Sequence, residues 1–292
     1  MITGKTGVYF MVADPIEQVR TPEIFNKVLP LCGDDAVMVP LQVPARALES
    51  TVRSLFNSPT TRGMVLSIPH KTAAASIVDR CSKGAQVANA VNAIRRNDAG
   101  ELEGELFDGL GFVKSMERYA MEYRGKSVFL VGAGGAASAI AAALSEGAVA
   151  KIGLYDPDTD KARQLAQSLG KQYGLSVAVK DSNDPTGFEV VINASPLGLK
   201  ASDPLPVPTD RLDPRAQVCD ILMKNQPTPL LRAAMKQGMS VLPGFDMLIL
   251  QTPLFLDFFG AHKAAELLRA DDSIARDMLF PAELRDLVKR AA

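Results

Sequence analysis

Only two histidines, His70 and His262, occur in the 292 residues, too few for the clusters that hold a catalytic transition metal. The three cysteines, Cys32, Cys81 and Cys219, are odd in number and widely spaced, which gives neither a disulfide framework nor a zinc knuckle. They read as buried apolar fillers. Acid–base chemistry in such a chain falls to lysine, aspartate or glutamate. An excess of charge is also lacking: 32 Lys and Arg stand against 33 Asp and Glu, for a net charge of −1. That leaves no field for nucleic acid or an anionic membrane surface, and neither is expected as a partner. The longest apolar runs, such as Ala136 to Leu144, fall far short of the ~18 residues of a membrane span, and no signal-like apolar segment stands at the start. A soluble, cytoplasmic protein is expected. No internal repeat or low-complexity segment stands out.

What the chain has is alternation. At this length two domains are expected. Residues 6 to 112 alternate short β-rich runs with helical stretches, which argues for a parallel or mixed sheet covered by helices. The strand candidates are Thr6 to Val12, Val37 to Val43, Gly63 to Ile68 and Asn92 to Arg96. Between them, Ala45, Leu48, Val52 and Leu55 recur at helical spacing over Ala45 to Phe56. A helix from 113 to about Tyr123 reads as a connector.

The connector leads to the stretch with the sharpest signal. Ser127-Val-Phe-Leu-Val-Gly-Ala-Gly-Gly-Ala-Ala-Ser138 is an apolar strand running into a glycine turn and an alanine-rich helix, 135 to 146. Gly132 permits the tight turn, Gly134 lets the backbone approach a pyrophosphate, and Ala137 allows close packing of helix on strand. The helix N-terminus offers free N–H groups and a positive dipole end to phosphates. A second strand, Lys151 to Tyr155, ends in Asp156, roughly 20 residues beyond the turn, where an acid can accept from the adenosine ribose hydroxyls. The alternation continues through a helix at 158 to 170 and strands near 175 to 179, 188 to 193 and 217 to 221. Thr228-Pro229 marks a further helix start. Met239 to Leu242 reads as a last strand, followed by helices at Met247 to Phe259 and Pro281 to Arg290. The expected organisation is therefore an α/β substrate module, 1 to 112, a Rossmann-type dinucleotide module, 113 to 251, and terminal helices, 252 to 292, that pack back on the first.

Three residues outside the glycine turn draw attention, each with two readings. Lys71, in Ser67-Ile-Pro-His-Lys71, lies just past the carboxyl end of a strand, where open α/β sheets bind ligands; it also suits a solvated first helical turn. Asp108 precedes a glycine, a turn or cap position as readily as a functional one. Gln251 sits in an apolar helix, facing either solvent or a ligand.

Read together, Ser67-Ile-Pro-His-Lys, Ala90-Val-Asn-Ala93, Asp108-Gly, Val131-Gly-Ala-Gly-Gly-Ala, Ile192-Asn-Ala-Ser-Pro-Leu-Gly198, Pro227-Thr-Pro-Leu-Leu231 and Gly244-x-x-Met-Leu-x-x-Gln251 resemble, in order and spacing, the shikimate and quinate dehydrogenase family. The resemblance runs over about residues 8 to 260. It implies an oxidoreductase that moves hydride between a nicotinamide dinucleotide and a ring hydroxyl of a small cyclic hydroxy acid, as a monomer or homodimer. Lys71 and Asp108 match the catalytic pair at the reacting hydroxyl. Asn92 and Gln251 match residues that bind substrate hydroxyls, and Ser67 stands where the family usually has Thr. Gly132, Ala133, Gly134, Gly135 and Ala136 match the pyrophosphate turn. Asn193, Ala194 and Ser195 match the segment beside the nicotinamide, and Gly244 and Met247 the cofactor-facing helix start.

The departures lie at the other end of the substrate. Where the family has two serines that hold the substrate carboxylate, this chain has Val19 and Thr21. A family tyrosine near the same carboxylate is Met223. Each hydrogen bond to a charged group is worth ~1.5 to 3 kcal/mol, so two lost hydroxyls weaken such an anchor by a few orders of magnitude unless Arg20 or another group compensates. Val65 and Leu106-Phe107 replace further polar family residues, and the pocket is more apolar for it. Tyr155-Asp156-Pro157-Asp158 replaces the basic pair that receives a 2′-phosphate, with Lys161 and Arg163 following only in the helix. NAD is therefore expected over NADP. The alternative to an enzyme is a nucleotide-binding sensor or vestigial relative, which the changes at Val19 and Met223 favour and the survival of Lys71, Asn92, Asp108 and Gln251 opposes.

Overall fold

The structure is a computed structural model and describes residues 1–200, 202–224 and 226–285. Its first strand, β1 (Gly7–Ala13), is followed by α1 (Thr21–Leu31), β2 (Ala36–Gln42), α2 (Leu48–Phe56), β3 (Thr61–Leu66), α3 (Lys71–Ala75), β4 (Arg80–Cys81), α4 (Lys83–Ala88), β5 (Ala93–Arg96) and β6 (Leu102–Glu105). These strands form one mixed sheet of order β2-β1-β3-β5-β6-β4. β1 lies parallel between β2 and β3, whereas β5 runs antiparallel to β3 and to β6. Asn97 drives the β5–β6 reversal, its side-chain oxygen accepting the amides of Ala99 and Glu101. Because β5 is antiparallel, Asn92 at its start stands at the carboxyl end of β3, and the Leu66 amide donates to the Asn92 carbonyl at 2.8 Å.

The second sheet is of the buried, parallel kind. α5 (Asp108–Arg118) leads to β7 (Ser127–Val131), α6 (Gly135–Glu146), β8 (Lys151–Tyr155), α7 (Thr159–Tyr173), β9 (Val177–Val179), β10 (Val190–Asn193), β11 (Gln217–Asp220), α8 (Pro229–Lys236) and β12 (Ser240–Pro243). All strand pairs are parallel, in the order β12-β11-β10-β7-β8-β9. Every residue of β7 and β10 is buried, as expected of strands covered on both faces. The strand order reverses at β7, and in such sheets the crevice outside the strand carboxyl ends at that point takes the ligand. Phe129, Val191, Val218 and Leu231 lie in the apolar core on one side.

α5 differs from the expected 113-to-Tyr123 connector. It begins at Asp108, whose carboxylate suits the positive end of a helix, and it stops at Arg118, before Ala120 takes a left-handed φ of +50°. Gly109 is why it starts so early: a Cβ there would sit 2.0 Å from the Ala139 carbonyl oxygen of α6, so only glycine lets α5 lie this close.

α9 (Phe245–Phe258), α10 (His262–Ala270), α11 (Ser273–Leu279) and α12 (Ala282–Arg285) complete the chain. The chain forms two compact units, Met1–Phe107 with Ile249–Leu279, and Asp108–Leu248 with the described chain from Phe280. Rings bring the later helices to the first unit: Phe107 packs edge-on against Phe255 at 5.3 Å, and Tyr9 lies 5.4 Å from Phe259. The Arg95 guanidinium lies 4.4 Å over the Phe258 ring and donates to the Phe258 carbonyl at 2.6 Å. From Phe280, however, the chain groups with the second unit rather than with the first, as the Phe280 ring packs on Phe245 at 6.0 Å. Of the helix expected over Pro281 to Arg290, α12 covers four residues, and 286 to 290 lie outside the described residues. No helix among the described residues is long and apolar enough to cross a membrane.

Candidate active site

In the second unit, the carboxyl ends of the parallel strands bring the expected cofactor residues to one edge of the sheet. Gly132 follows β7 with φ +107°, and a Cβ there would sit 2.8 Å from the Ala194 carbonyl oxygen. Only glycine therefore fits between the turn and the segment after β10. Gly134 caps α6 without a side chain to occupy its first N–H groups. Gly134 and Gly135 are exposed, and a Cβ on either would meet nothing within 4 Å. Open space in front of bare helix amides fits a pyrophosphate. Ala133 and Ala136 complete the turn; Gly244 and Met247 lie at the end of β12 and the start of α9, Met247 buried.

Asp156 at the end of β8 is tied into this turn. Its Oδ2 accepts the Ala133 amide at 2.7 Å and its Oδ1 the Asp158 amide at 2.8 Å. Asp158 caps α7 and pairs with Lys161 at 3.0 Å, while Arg163 pairs with Asp160 at 3.1 Å. Both cations that follow the turn thus already face carboxylates.

Asn193 is expected beside the nicotinamide, yet its carboxamide is saturated within the protein. Nδ2 donates to the Leu197 carbonyl at 3.0 Å and to Asp220 Oδ1 at 3.1 Å. Oδ1 accepts the Ser195 amide at 3.1 Å and the Ser195 hydroxyl at 2.6 Å. Asn193 shapes the Ala194–Ser195 turn rather than offering an open side chain. Its partner Asp220 is missing from the residues singled out by sequence. The one available signal is an acid closing an apolar strand, a pattern Asp156 shares. Burial pushes the Asp220 carboxyl up to about 6.

In the first unit the residues expected to bind substrate gather where β3 ends and β5 begins. Lys71 opens α3, its side chain half-buried. The preceding His70 is buried, and desolvation holds its imidazole below the usual histidine range. Ser67 is half-buried just past β3. Asn92 and Gln251 are both buried, and the Asn92 amide donates to Gln251 Oε1 at 3.4 Å. Asn92 Oδ1 accepts the Phe107 amide at 2.9 Å, fixing the residue that immediately precedes Asp108. Asp108 opens α5 in the second unit and is itself buried. Gln251 therefore faces a polar partner inside the protein rather than solvent.

Of the residues expected at the substrate carboxylate, Val19 is half-buried and Thr21 is buried at the start of α1. Arg20 is engaged within the protein. Its guanidinium donates to Glu23 at 2.8 Å and to the Met278 carbonyl of α11 at 3.4 Å, with the side chain 42% exposed. Met223 is half-buried in the second unit. No group of acidic, histidine and cysteine side chains among the described residues could hold a metal ion.

Residues 11–94 match the shikimate dehydrogenase substrate binding domain. Shikimate dehydrogenase (NADP(+)) of Rubrobacter xylanophilus is 32% identical over 257 residues, 86% of this chain and 89% of that one. A shikimate 5-dehydrogenase from Listeria monocytogenes, solved with shikimate and NAD, superposes with a TM-score of 0.83 at 25% identity, covering 95% of this chain and 98% of that one. Quinate dehydrogenase from Corynebacterium glutamicum, solved with NAD, gives 0.79 at 25% identity over 90% and 99% of the two chains. The matched lengths take in both units and their junctions, and with the glycine cradle and the residues around Asn92 they lead to one conclusion: the chain belongs to the shikimate dehydrogenase family, as an NAD(P)-dependent oxidoreductase.

Proposed function

We propose that this enzyme transfers hydride between NAD and a ring hydroxyl of shikimate, quinate or a related cyclic polyol acid, with Lys71 and Asp108 as the catalytic pair. The observation that carries the reading is the Asn92 carboxamide, which holds the Phe107 amide beside Asp108 on one side and Gln251 on the other. Such a bridge sets two hydroxyl-binding amides at the strand edge from which α3 presents Lys71. The bound nicotinamide supplies the hydride acceptor or donor. Lys71 hydrogen-bonds the reacting oxygen and relays its proton, and the Asp108 carboxylate orients the lysine. Ser67, Asn92 and Gln251 bind the remaining ring hydroxyls, and Thr21 is the one hydroxyl left at the carboxylate end.

The preference for NAD rests on charge. Asp156 and Asp158 stand where a 2′-phosphate would approach, and Lys161 and Arg163 are each engaged by a neighbouring acid. The R. xylanophilus relative is named for NADP(+), so the preference is a departure located in the Tyr155–Asp158 turn.

A panel assay for NADH production with quinate, shikimate, aminoshikimate and simple cyclic polyols tests the reading. At least one substrate is expected to turn over, and Lys71→Ala to abolish nearly all of that turnover with the fold intact. Wild-type rates in that variant would sink the catalytic assignment. Nucleotide binding without turnover on any substrate would instead favour a sensor, the reading to which Val19 and Met223 lend support.

A further inference from the structure

Asp220 closes β11 with 1% of its surface exposed. Its hydrogen bonds are to neutral groups: Oδ1 accepts from Asn193 Nδ2 at 3.1 Å and from the Leu222 amide at 3.1 Å, and Oδ2 from the Thr228 hydroxyl at 2.7 Å. A carboxylate buried without a cation costs stability relative to an apolar residue, so stability does not explain it. Its partners do. Thr228 caps α8 through the Leu231 amide, and Asn193 holds Ser195 and Leu197 by the bonds described above. A carboxamide has two donor hydrogens and two acceptor lone pairs. Acceptors flank Asn193 Nδ2 and donors flank its Oδ1, so only one orientation satisfies all four bonds. The Ala194 carbonyl, on the turn so fixed, is the atom that crowds Gly132.

We infer that Asp220 is a positioning residue of the dinucleotide site, acting through Asn193 to hold the Ala194–Ser195 turn against the glycine cradle. The inference rests on the reading that the second unit binds a dinucleotide. It assigns the two arms of Asp220 different roles: the Asn193 arm sets the shape of the site, and the Thr228 arm stabilises the start of α8.

The arms separate experimentally by NADH titration, followed by fluorescence, alongside thermal unfolding. Asp220→Ala is expected to raise the NADH Kd about tenfold, the size of one lost hydrogen bond to a charged group. Asp220→Asn restores affinity to within about twofold: its Oδ1 still accepts from Asn193, and its amide donates to the Thr228 oxygen. Thr228→Val lowers the unfolding temperature and leaves the Kd near wild type. Should Asp220→Ala not fold, Asp220→Val, an apolar side chain suited to a buried strand, removes the same bond from Asn193 and is expected to give the same loss of affinity. A folded Asp220→Ala protein with wild-type Kd overturns the inference, as does a Thr228→Val loss of affinity equal to that of Asp220→Ala. Wild-type protein that binds neither NADH nor NADPH overturns the dinucleotide reading itself.

Discussion

Asp156 and the Ala133 amide are joined at 2.7 Å, so the end of β8 and the glycine turn are set by one carboxylate. A second backbone amide, that of Asp158, occupies the other oxygen at 2.8 Å. A carboxylate has about four lone-pair sites, which leaves capacity for two ribose hydroxyls. Asp156→Ser is expected to lower kcat/KM with NAD by roughly 10- to 100-fold, the range of one hydrogen bond to a charged group. Efficiency with NADP should fall less or rise, because a negative charge facing the 2′-phosphate is gone. Steady-state kinetics with both dinucleotides decide it. A wild-type enzyme more efficient with NADP than with NAD would refute the assignment of Asp156 as the selectivity residue.

Asn92 and Gln251 share a hydrogen bond but differ in what else depends on them. Asn92 also accepts the buried Phe107 amide, whereas Gln251 accepts from Asn92. Asn92→Ala should therefore raise KM and also lose about 1–3 kcal/mol of stability, the cost of a buried donor left unsatisfied. Gln251→Ala should raise KM with a smaller stability loss, because the bond it takes from Asn92 is the longer and weaker one, 3.4 Å against 2.9 Å. Denaturant unfolding beside kinetics separates the two, and equal stability losses would contradict the bridge.

The dinucleotide module was readable because its physics is local. β7 and β8 are covered on both faces, which leaves uninterrupted apolar runs, and the sequence places α6 at 135 to 146 and β8 at 151 to 155, where they lie. β6 carries no local strand signal, since Leu102 to Glu105 is half glutamate and becomes a strand only by pairing with β5. The start of α5 is hidden because Asp-Gly reads locally as a turn, and nothing near Gly109 in sequence reveals the Ala139 carbonyl that requires it. The site shows the same division. Lys71, Asn92, Asp108 and Gln251 sit in motifs of characteristic spacing. The engagement of Arg20 by the Met278 carbonyl and the saturation of Asn193 by Asp220 arise from tertiary contacts, which no local pattern encodes.

Asp220 also sets a pH dependence of stability. Burial raises its carboxyl from 3.8 to about 6 in the folded chain, so the native state binds this proton more tightly than the unfolded one. The contribution is fully present below pH 4 and is lost as pH rises through 6. At 1.36 kcal/mol per pKa unit it amounts to roughly 3 kcal/mol. Urea unfolding of wild type and Asp220→Asn across pH 4 to 7.5 isolates it, since the other carboxylates cancel in the difference. Wild type is expected to lose about 2 kcal/mol relative to the variant over this range, because the unfolded carboxyl is already more than half ionised at pH 4. A constant difference would mean that Asp220 is not the proton-binding group.

The rewritten anchor makes the most direct claim on substrate preference. On the proposed reading, Val19 and Met223 replace two of the family's hydroxyls and Thr21 keeps the third, while Arg20 is held by Glu23 and the Met278 carbonyl. A carboxylate entering this end of the site meets fewer donors than it leaves behind in water, and desolvating a charge without replacement partners is unfavourable. Restoring donors should reverse this. Val19→Ser with Met223→Tyr is expected to raise kcat/KM for shikimate by about two orders of magnitude, as two bonds of ~1.5 kcal/mol each would provide. The gain should appear mainly in KM, because the carboxylate lies away from the reacting hydroxyl and its binding is felt equally in ground and transition states. Arg20→Ala, by contrast, should leave KM for shikimate unchanged, since the guanidinium is engaged elsewhere. If Arg20→Ala raises that KM tenfold or more, the arginine serves as the anchor and the assignment of the lost hydroxyls is wrong.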